Sequence, residues 1–260
     1  MEILRGDGPD TYVVRFAGMD QSHVDLGDPR RIAFDYVRRM ADVVDVHAER
    51  GVPVRTVHIG GAGMTLPRYI SATRPGSWQV VLEPDEALTE LVRREIPLPR
   101  RSGIKVRPVD GRAGIAAMRD DQAQLVVVDA FADARVPADL VTVEFFESVA
   151  RVLEPDGLVL LNLTDRAPFA WSRRVVAGLR EVLGTLMLSA EPATLRGRRA
   201  GNLLVVASRD GVPERALSAR AASSPAPYRV LGPDLVRDSF GGGRAFTDAD
   251  TEPSPVSRPG

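Results

Sequence analysis

Between residues 55 and 207 short apolar runs and amphipathic runs take turns along the chain. The pattern predicts strands at 55–59, 79–82, 105–108, 125–129 and 158–162, and helices at 66–72, 85–95, 115–118, 142–153 and 170–183. Runs such as Leu125-Val126-Val127-Val128 are apolar on both faces, as strands of a helix-covered parallel sheet are. Two more strands, 186–190 and 202–207, flank Arg196-Gly197-Arg198-Arg199 and read as an antiparallel ribbon at the sheet edge. Ahead of this pattern, 11–16 and 22–26 read as strands. A helix opening at Asp28-Pro29 then carries Ile32, Tyr36, Val37, Met40, Val43 and Val44 on one face and stops near Gly51-Val52-Pro53. From Arg209 the chain turns to Pro, Gly, Ser and Ala, and 221–227 with Gly241-Gly242-Gly243 reads as poorly structured. The expected architecture is α/β: a doubly wound, mostly parallel seven-stranded sheet over 51–208, a small strand-and-helix cap over 1–50, and a disordered C-terminal tail over 209–260.

Composition narrows the function classes. A net charge of −1 gives no overall pull toward nucleic acid or an anionic membrane. Lys105 is the sole lysine, so arginine supplies the basic residues, which fits coding bias better than a function. The chain has no cysteine, which removes disulfides and thiolate chemistry. Its opening residues have no apolar core of the signal-peptide kind, and no apolar run approaches the ~20 residues that span a bilayer. A soluble cytoplasmic protein is expected.

Candidate chemistry gathers at the predicted strand ends. In Val57-His58-Ile59-Gly60-Gly61-Ala62-Gly63-Met64 a strand runs into a glycine turn and then a helix, and the next strand ends on Leu82-Glu83-Pro84. This is how an α/β sheet builds a nucleoside pocket: glycines let the backbone approach the ligand, and an acid holds two ribose hydroxyls. No basic residue waits at the loop for a pyrophosphate, which favours a mononucleoside. The alternatives are an ordinary tight turn at the loop and a helix-capping role for Glu83. Asp110 ends the third strand and could accept from an exocyclic amine such as that of adenine, or cap a helix. Asp129 ends the fourth strand, where a carboxylate can face a nucleoside and a cationic co-substrate, or serve as a strand-end cap. Asp133, four residues on, reads first as a solvated loop acid. His23, His47 and His58 have no metal-ligand spacing and read as structural, and no metal is expected. The Arg196–Arg199 cluster reads as a solvated loop rather than a nucleic-acid surface.

With those residues in place, the chain resembles the spermidine synthase family, aminopropyltransferases on the class I S-adenosylmethionine-dependent methyltransferase fold. The carriers are Gln21, the Tyr36 helix, Ile59-Gly60-Gly61-Ala62-Gly63 with Arg68, Glu83, Asp110-Gly111, Val128-Asp129, Glu144-Phe145-Phe146, Asp156-Gly157 and, in the tail, Phe246-Thr247-Asp248-Ala249-Asp250. The resemblance covers roughly residues 12–207. It implies a co-substrate, decarboxylated S-adenosylmethionine or S-adenosylmethionine, held by Gln21, Gly60, Gly61, Gly63, Glu83, Asp110 and Gly111. It also implies an amine acceptor at Tyr36, catalytic roles for Asp129 and Asp133, and an N-terminal segment of the kind many relatives use to form homodimers.

Three departures cut against the amine half of that inference. Relatives carry Gly-Gly-Gly-Asp-Gly at the loop, whose aspartate neutralises the donor's amino group, and here Gly63 stands in its place. Relatives carry Asp-Ser-x-Asp at the fourth strand, with the second aspartate as base, and here that position is Ala132. Relatives carry Tyr-His-Glu in the first helix, and here it is Tyr36-Val37-Arg38, whose arginine repels a polyamine. The expected function is transfer of an aminopropyl group from an S-adenosyl nucleoside to an amine. The alternatives are a methyltransferase using the same pocket and a non-catalytic nucleoside-binding or interaction protein of the same fold.

Overall fold

The computed structural model describes residues 1–16 and 18–256. The chain divides into two compact units, Met1–Gly111 and Arg112–Gly260. The division falls inside the 51–208 region expected to form one nucleoside-binding domain.

The first unit opens with a three-stranded antiparallel sheet of β1 (Glu2–Arg5), β2 (Thr11–Phe16) and β3 (Met19–Asp25), in that spatial order. β1 has no counterpart in the expected pattern. Its four residues pair Ile3 with Val14 and Leu4 with Val13, a stretch too short to show alternation by itself. Helix α1 (Asp35–His47) starts later than Asp28-Pro29. The Asp28 carboxylate instead accepts from Arg30 N (3.2 Å) and Arg30 Nε (2.6 Å), holding a local turn. Val37, Met40, Val43 and Val44 are buried along α1 as expected, while Ile32 is buried ahead of it.

The rest of the unit is a parallel β–α–β–α–β run: β4 (Arg55–Ile59), α2 (Thr65–Thr73), β5 (Trp78–Leu82), α3 (Glu86–Glu95) and β6 (Ile104–Arg107). Val57 sits opposite Val80, and Val80 opposite Lys105. Asp85 caps α3 by accepting from Leu88 N at 2.8 Å, which satisfies one of the free amides of the first turn. Val14 and Val24 of the antiparallel sheet pack with Met64, Leu88, Val92 and Ile96 into one apolar cluster. That cluster brings β2 and β3 against the segment joining β4 to α2.

The second unit begins as α4 (Gly111–Ala116) runs on from the first. It continues with β7 (Ala123–Val128), α5 (Val143–Val152), β8 (Leu153–Asp165), α6 (Ala170–Leu183), β9 (Thr185–Ala190), α7 (Pro192–Leu195), β10 (Gly201–Ser208), α8 (Glu214–Ser223), β11 (Arg229–Leu231) and α9 (Pro233–Phe240). β7 and β8 are parallel; β10 lies antiparallel to both β8 and β9, and β11 antiparallel to β9. Leu125, Val126, Val159, Leu160 and Leu161 are wholly buried, as two-sided helix cover requires.

Two expectations are corrected here. The β9–β10 pair is antiparallel but is not a free ribbon at the edge, because β10 also pairs with β8 and β11 covers β9. The tail is not structureless: α8, β11 and α9 form within it, and Leu217, Val236, Phe240 and Phe246 are buried. β11 is the eighth strand following α1, where seven were expected. The segment's composition hid its few apolar residues, of which Leu217, Tyr228, Leu231, Val236, Phe240 and Phe246 are buried. Residues 257–260, the end of the expected tail, lie outside the described residues. Among the described residues no helix is long and apolar enough to cross a membrane.

Candidate functional site

β4 ends at Ile59, and the chain turns through Gly60–Met64 into α2. Gly60 N donates to Leu82 O at 3.0 Å, carrying the β4–β5 pairing one step beyond the strand. Gly61 N donates to Glu83 Oε2 at 2.8 Å. A Cβ on Gly61 would stand 3.1 Å from Val81 Cγ1 and 3.2 Å from Glu83 Cβ, so the loop reaches the acid because this residue has no side chain. Glu83 follows β5, is 8% exposed, and accepts from Asp85 N through Oε1 at 3.0 Å. Its carboxylate therefore ties the glycine loop to the entry of α3. Each oxygen uses one lone pair in doing so and keeps another for a ligand hydroxyl. The bracing of the loop and spare acceptor capacity coexist in one side chain.

Gly63 meets the antiparallel sheet. Its N–H donates to Ser22 Oγ at 3.1 Å, and Thr65 Oγ1 donates to His23 O at 2.9 Å. A Cβ at Gly63 would lie 2.8 Å from Ser22 Cβ and 2.9 Å from Val24 Cγ2. The place where the resemblance looks for an aspartate is thus filled by β3. Gln21 precedes Ser22 in that strand and is half-buried. On the other side of the loop, buried Arg68 donates through Nε to Gly63 O (3.0 Å) and through Nη1 to Pro97 O (3.0 Å), and it also contacts Ile96 O. Those last two carbonyls lie at the end of α3, where a cation suits the helix dipole. Gly63→Asp should cost about 1–3 kcal/mol or more, as overpacking does. Thermal denaturation reads this, and a variant melting with the parent would show that β3 gives way to the side chain.

The remaining candidates of the first unit are more loosely placed. Tyr36 is half-buried in the first turn of α1, its ring 6.0 Å from that of Phe34. Arg38 donates to Ile32 O at 2.7 Å and pairs with Asp35 at 3.5 Å, so the residue expected to repel polyamines is engaged at the start of its own helix and just ahead of it. Asp110 is exposed at the entry to α4, and Gly111 behind it is buried. His58 is buried with Nε2 3.1 Å from Gln79 Oε1, and burial pushes its pKa down to about 4, so it is neutral at pH 7. That is the structural role expected of it.

In the second unit, Asp129 follows β7 and is half-buried. Its Oδ1 accepts from Asn162 Nδ2 at 2.9 Å, and Asn162 Oδ1 accepts from Asn202 Nδ2 at 3.0 Å. Burial pushes the Asp129 carboxyl up to about 6, against the opposing pull of the Asn162 amide. Asp133 is exposed in the turn 132–135, closed by Ala132 N to Arg135 O at 2.9 Å and Arg135 N to Ala132 O at 3.0 Å. It has φ of 50° and Ala134 φ of 60°, the left-handed backbone that aspartate tolerates in a tight turn. Sequence reasoning missed Ser22, Asn162 and Asn202. A lone amide inside the apolar run Leu158–Leu163 was the available signal for Asn162, because a buried amide must find partners.

No family model matches the chain. Among curated proteins it is 25% identical over 143 residues to a polyamine aminopropyltransferase of Chromobacterium violaceum, covering 55% of this chain and 53% of that one. It is 24% identical over 135 residues to another from Vibrio vulnificus, covering 51% and 44%. The chain thus spans about half the length of the curated relatives it matches. A crystal structure of a probable spermidine synthase from Corynebacterium glutamicum superposes with a TM-score of 0.87 at 28% identity, over 95% of this chain and 92% of that one. The chain is similar to spermidine synthases in sequence and in fold. The methyltransferase-like fold is shared more widely: human methyltransferase-like protein 13, solved in complex with SAH, matches at a TM-score of 0.59 and 19% identity, over 83% and 96% of the two chains. Against the resemblance to spermidine synthases, this chain keeps the glycine loop with its strand-end acid and departs where Gly63 meets β3.

Proposed function

We propose that this chain is a transferase that binds an S-adenosyl nucleoside and passes a group from its sulfonium to a nucleophile, with aminopropyl transfer to an amine as the first reading. The observation that carries it is Glu83, braced by Gly61 N and Asp85 N with lone pairs to spare. An anchored carboxylate beside a glycine turn at a strand end suits two adjacent ribose hydroxyls. A spermidine synthase solved with the transition state analogue AdoDATO shares the fold, which is consistent with such a ligand. Gly60, Gly61 and Gly63 would admit the nucleoside, Asp110 and Gly111 its base, and Gln21 would line the same side. Asp129 is the proposed acid for a cationic group, with Asp133 and Tyr36 proposed for the acceptor.

In the transfer the acceptor nitrogen forms a bond to the carbon beside sulfur. The C–S bond breaks, its electron pair stays on sulfur as a neutral thioether, and the nitrogen sheds a proton. The sulfonium is already a good leaving group, so holding the partners in line supplies most of the catalysis.

A methyltransferase is the second reading, and the crowding at Gly63 favours it. A donor with a full amino-acid tail brings its own carboxylate and needs no acid at that position. Calorimetry with S-adenosylmethionine, its decarboxylated form and methylthioadenosine separates the readings. Preference for the decarboxylated donor supports aminopropyl transfer, preference for S-adenosylmethionine supports methyl transfer, and no binding of any of the three removes both. Glu83→Ala should weaken methylthioadenosine binding about tenfold to a hundredfold, the loss of roughly 1.5–3 kcal/mol in a charge-assisted contact. Unchanged affinity in a folded variant would take Glu83 out of the site.

A further inference from the structure

The geometry points to Asn162, itself held by Asn202, as the positioning residue that fixes the Asp129 carboxylate and leaves one of its oxygens free for a cationic partner. This rests on the reading of Asp129 as an acid that meets a cation. Asn162 is 2% exposed in a strand whose neighbours Leu160, Leu161 and Leu163 are wholly buried. An amide is costly there unless both its ends are paired. Its two bonds have a forced polarity. An ionised carboxylate only accepts, so Asn162 must turn its NH2 to Asp129 and its carbonyl to Asn202, which must in turn present its own NH2. Asn162 stands opposite Leu204, and Asn202, two residues before Leu204, stands opposite Thr164. The two amides are therefore diagonal neighbours on one face of the β8–β10 pair.

The result is a carboxylate gripped at Oδ1. Among the described residues Oδ2 has no hydrogen-bond partner. Burial raises the pKa of the carboxyl and the Asn162 amide lowers it; these are the two influences on it. Two charged groups on the adjoining elements, Asp165 and Arg135, are engaged elsewhere. Asp165 at the end of β8 accepts from Arg166 N (2.7 Å) and from Ser172 N and Oγ (3.0 and 2.7 Å), and Arg135 beyond β7 donates to Pro253 O (3.1 Å). No cation among the described residues acts on it, so the Asn162 amide is what lowers its pKa against burial. A strand-end cap would need neither a second asparagine nor a free oxygen.

The test follows the Asp129 carboxyl by carbon NMR in ligand-free, aspartate-labelled protein, with Asp129→Asn to assign the signal. Asn162→Ala should raise its titration midpoint by about one pH unit, the tenfold shift expected on losing one charge-assisted bond. Asn202→Ala should move it the same way by less. At pH 7, Asn162→Ala should then weaken S-adenosylmethionine binding about twofold, as the ionised fraction falls, and leave neutral methylthioadenosine unaffected. Should Asn162→Ala not fold, Asn202→Ala decides, since it leaves β8 intact. A midpoint unmoved in folded variants overturns the inference, whatever the ligands do. A midpoint that moves in a protein binding neither ligand upholds the relay and overturns the transferase reading instead.

Discussion

Cut after Arg209, the chain should lose about 10 °C or more in Tm, at the ~2–4 °C per kcal/mol typical of a domain this size. The deleted segment contributes Leu217, Tyr228, Leu231, Val236, Phe240 and Phe246, all buried. Burying such side chains is worth roughly 1.5–3 kcal/mol each, of which the ordering entropy of the segment cancels a large part. Two further losses add to the deficit. β9 loses β11, the strand that pairs Val230 with Ser189 and Leu231 with Leu188, and so becomes an open edge that invites aggregation. The segment beyond α9 also comes away from its anchors. Trp171 Nε1 donates to Glu252 O at 3.0 Å, Arg174 stacks 3.9 Å over the Phe246 ring and pairs with Asp250 at 2.6 Å, and Val143 N donates to Phe246 O at 2.9 Å. The same segment grips the stretch after β7: Val136 N donates to Ser254 Oγ at 2.9 Å and Thr251 Oγ1 to Ala138 O at 2.7 Å. The truncated protein should also bind a hydrophobic dye that the full chain does not. A cooperative melt within a few degrees of the full chain would mean that 210–260 is dispensable after all.

The contrast between that segment and the core shows what a sequence of this kind reveals. β4 and α6 occupy the residues expected of them, because Val57–Ile59 and Ala170–Leu183 are bounded by sharp turns and their period is unmistakable. In α8, by comparison, Leu217 is the one buried residue, so no amphipathic stripe exists to be read, and β11 has three residues. Their order comes from tertiary contact, which local patterning does not encode. The candidate site divides the same way. The glycine loop and Glu83 were legible because a strand, a turn and the next strand's end are close in sequence. The loop's contact with Ser22, 41 residues away, and the Asp129–Asn162–Asn202 relay depend on packing and strand register, which one chain's pattern leaves open. The start of α1 was misjudged because Asp28-Pro29 is a sound helix opening whose acid found an arginine two residues on instead.

The second large effect is expected at Asp45, which no functional argument singled out. Arg74 is wholly buried, and its guanidinium donates to Asp45 Oδ1 (2.9 Å), Ala48 O (2.6 Å), Val44 O (3.3 Å) and Thr73 Oγ1 (2.8 Å). Tyr69 Oη donates to the same Asp45 oxygen at 2.8 Å, while the exposed Arg50 approaches the other at 3.3 Å. The group ties the end of α1 to the end of α2. Asp45→Ala would leave a buried guanidinium facing only carbonyls and a hydroxyl, with its charge uncompensated. Removing one partner of a buried pair typically costs about 3–5 kcal/mol, and urea denaturation should show a loss of that order. The reverse change is expected to be milder. Arg74→Met removes the cation, keeps much of the volume, and relieves a buried Nε that has no hydrogen-bond partner. Asp45 then keeps Tyr69 and can draw Arg50 closer. Combining Asp45→Leu with Arg74→Met should therefore recover most of the loss, since an apolar pair avoids the desolvation that the ion pair must offset. α2 begins at Thr65, immediately after the glycine loop, so methylthioadenosine affinity should track stability across the three variants if that helix must be fixed for the loop to hold a nucleoside. An Asp45→Ala variant within about 1 kcal/mol of the parent would place the pair among ordinary surface ion pairs and remove it from the account of how the loop is held.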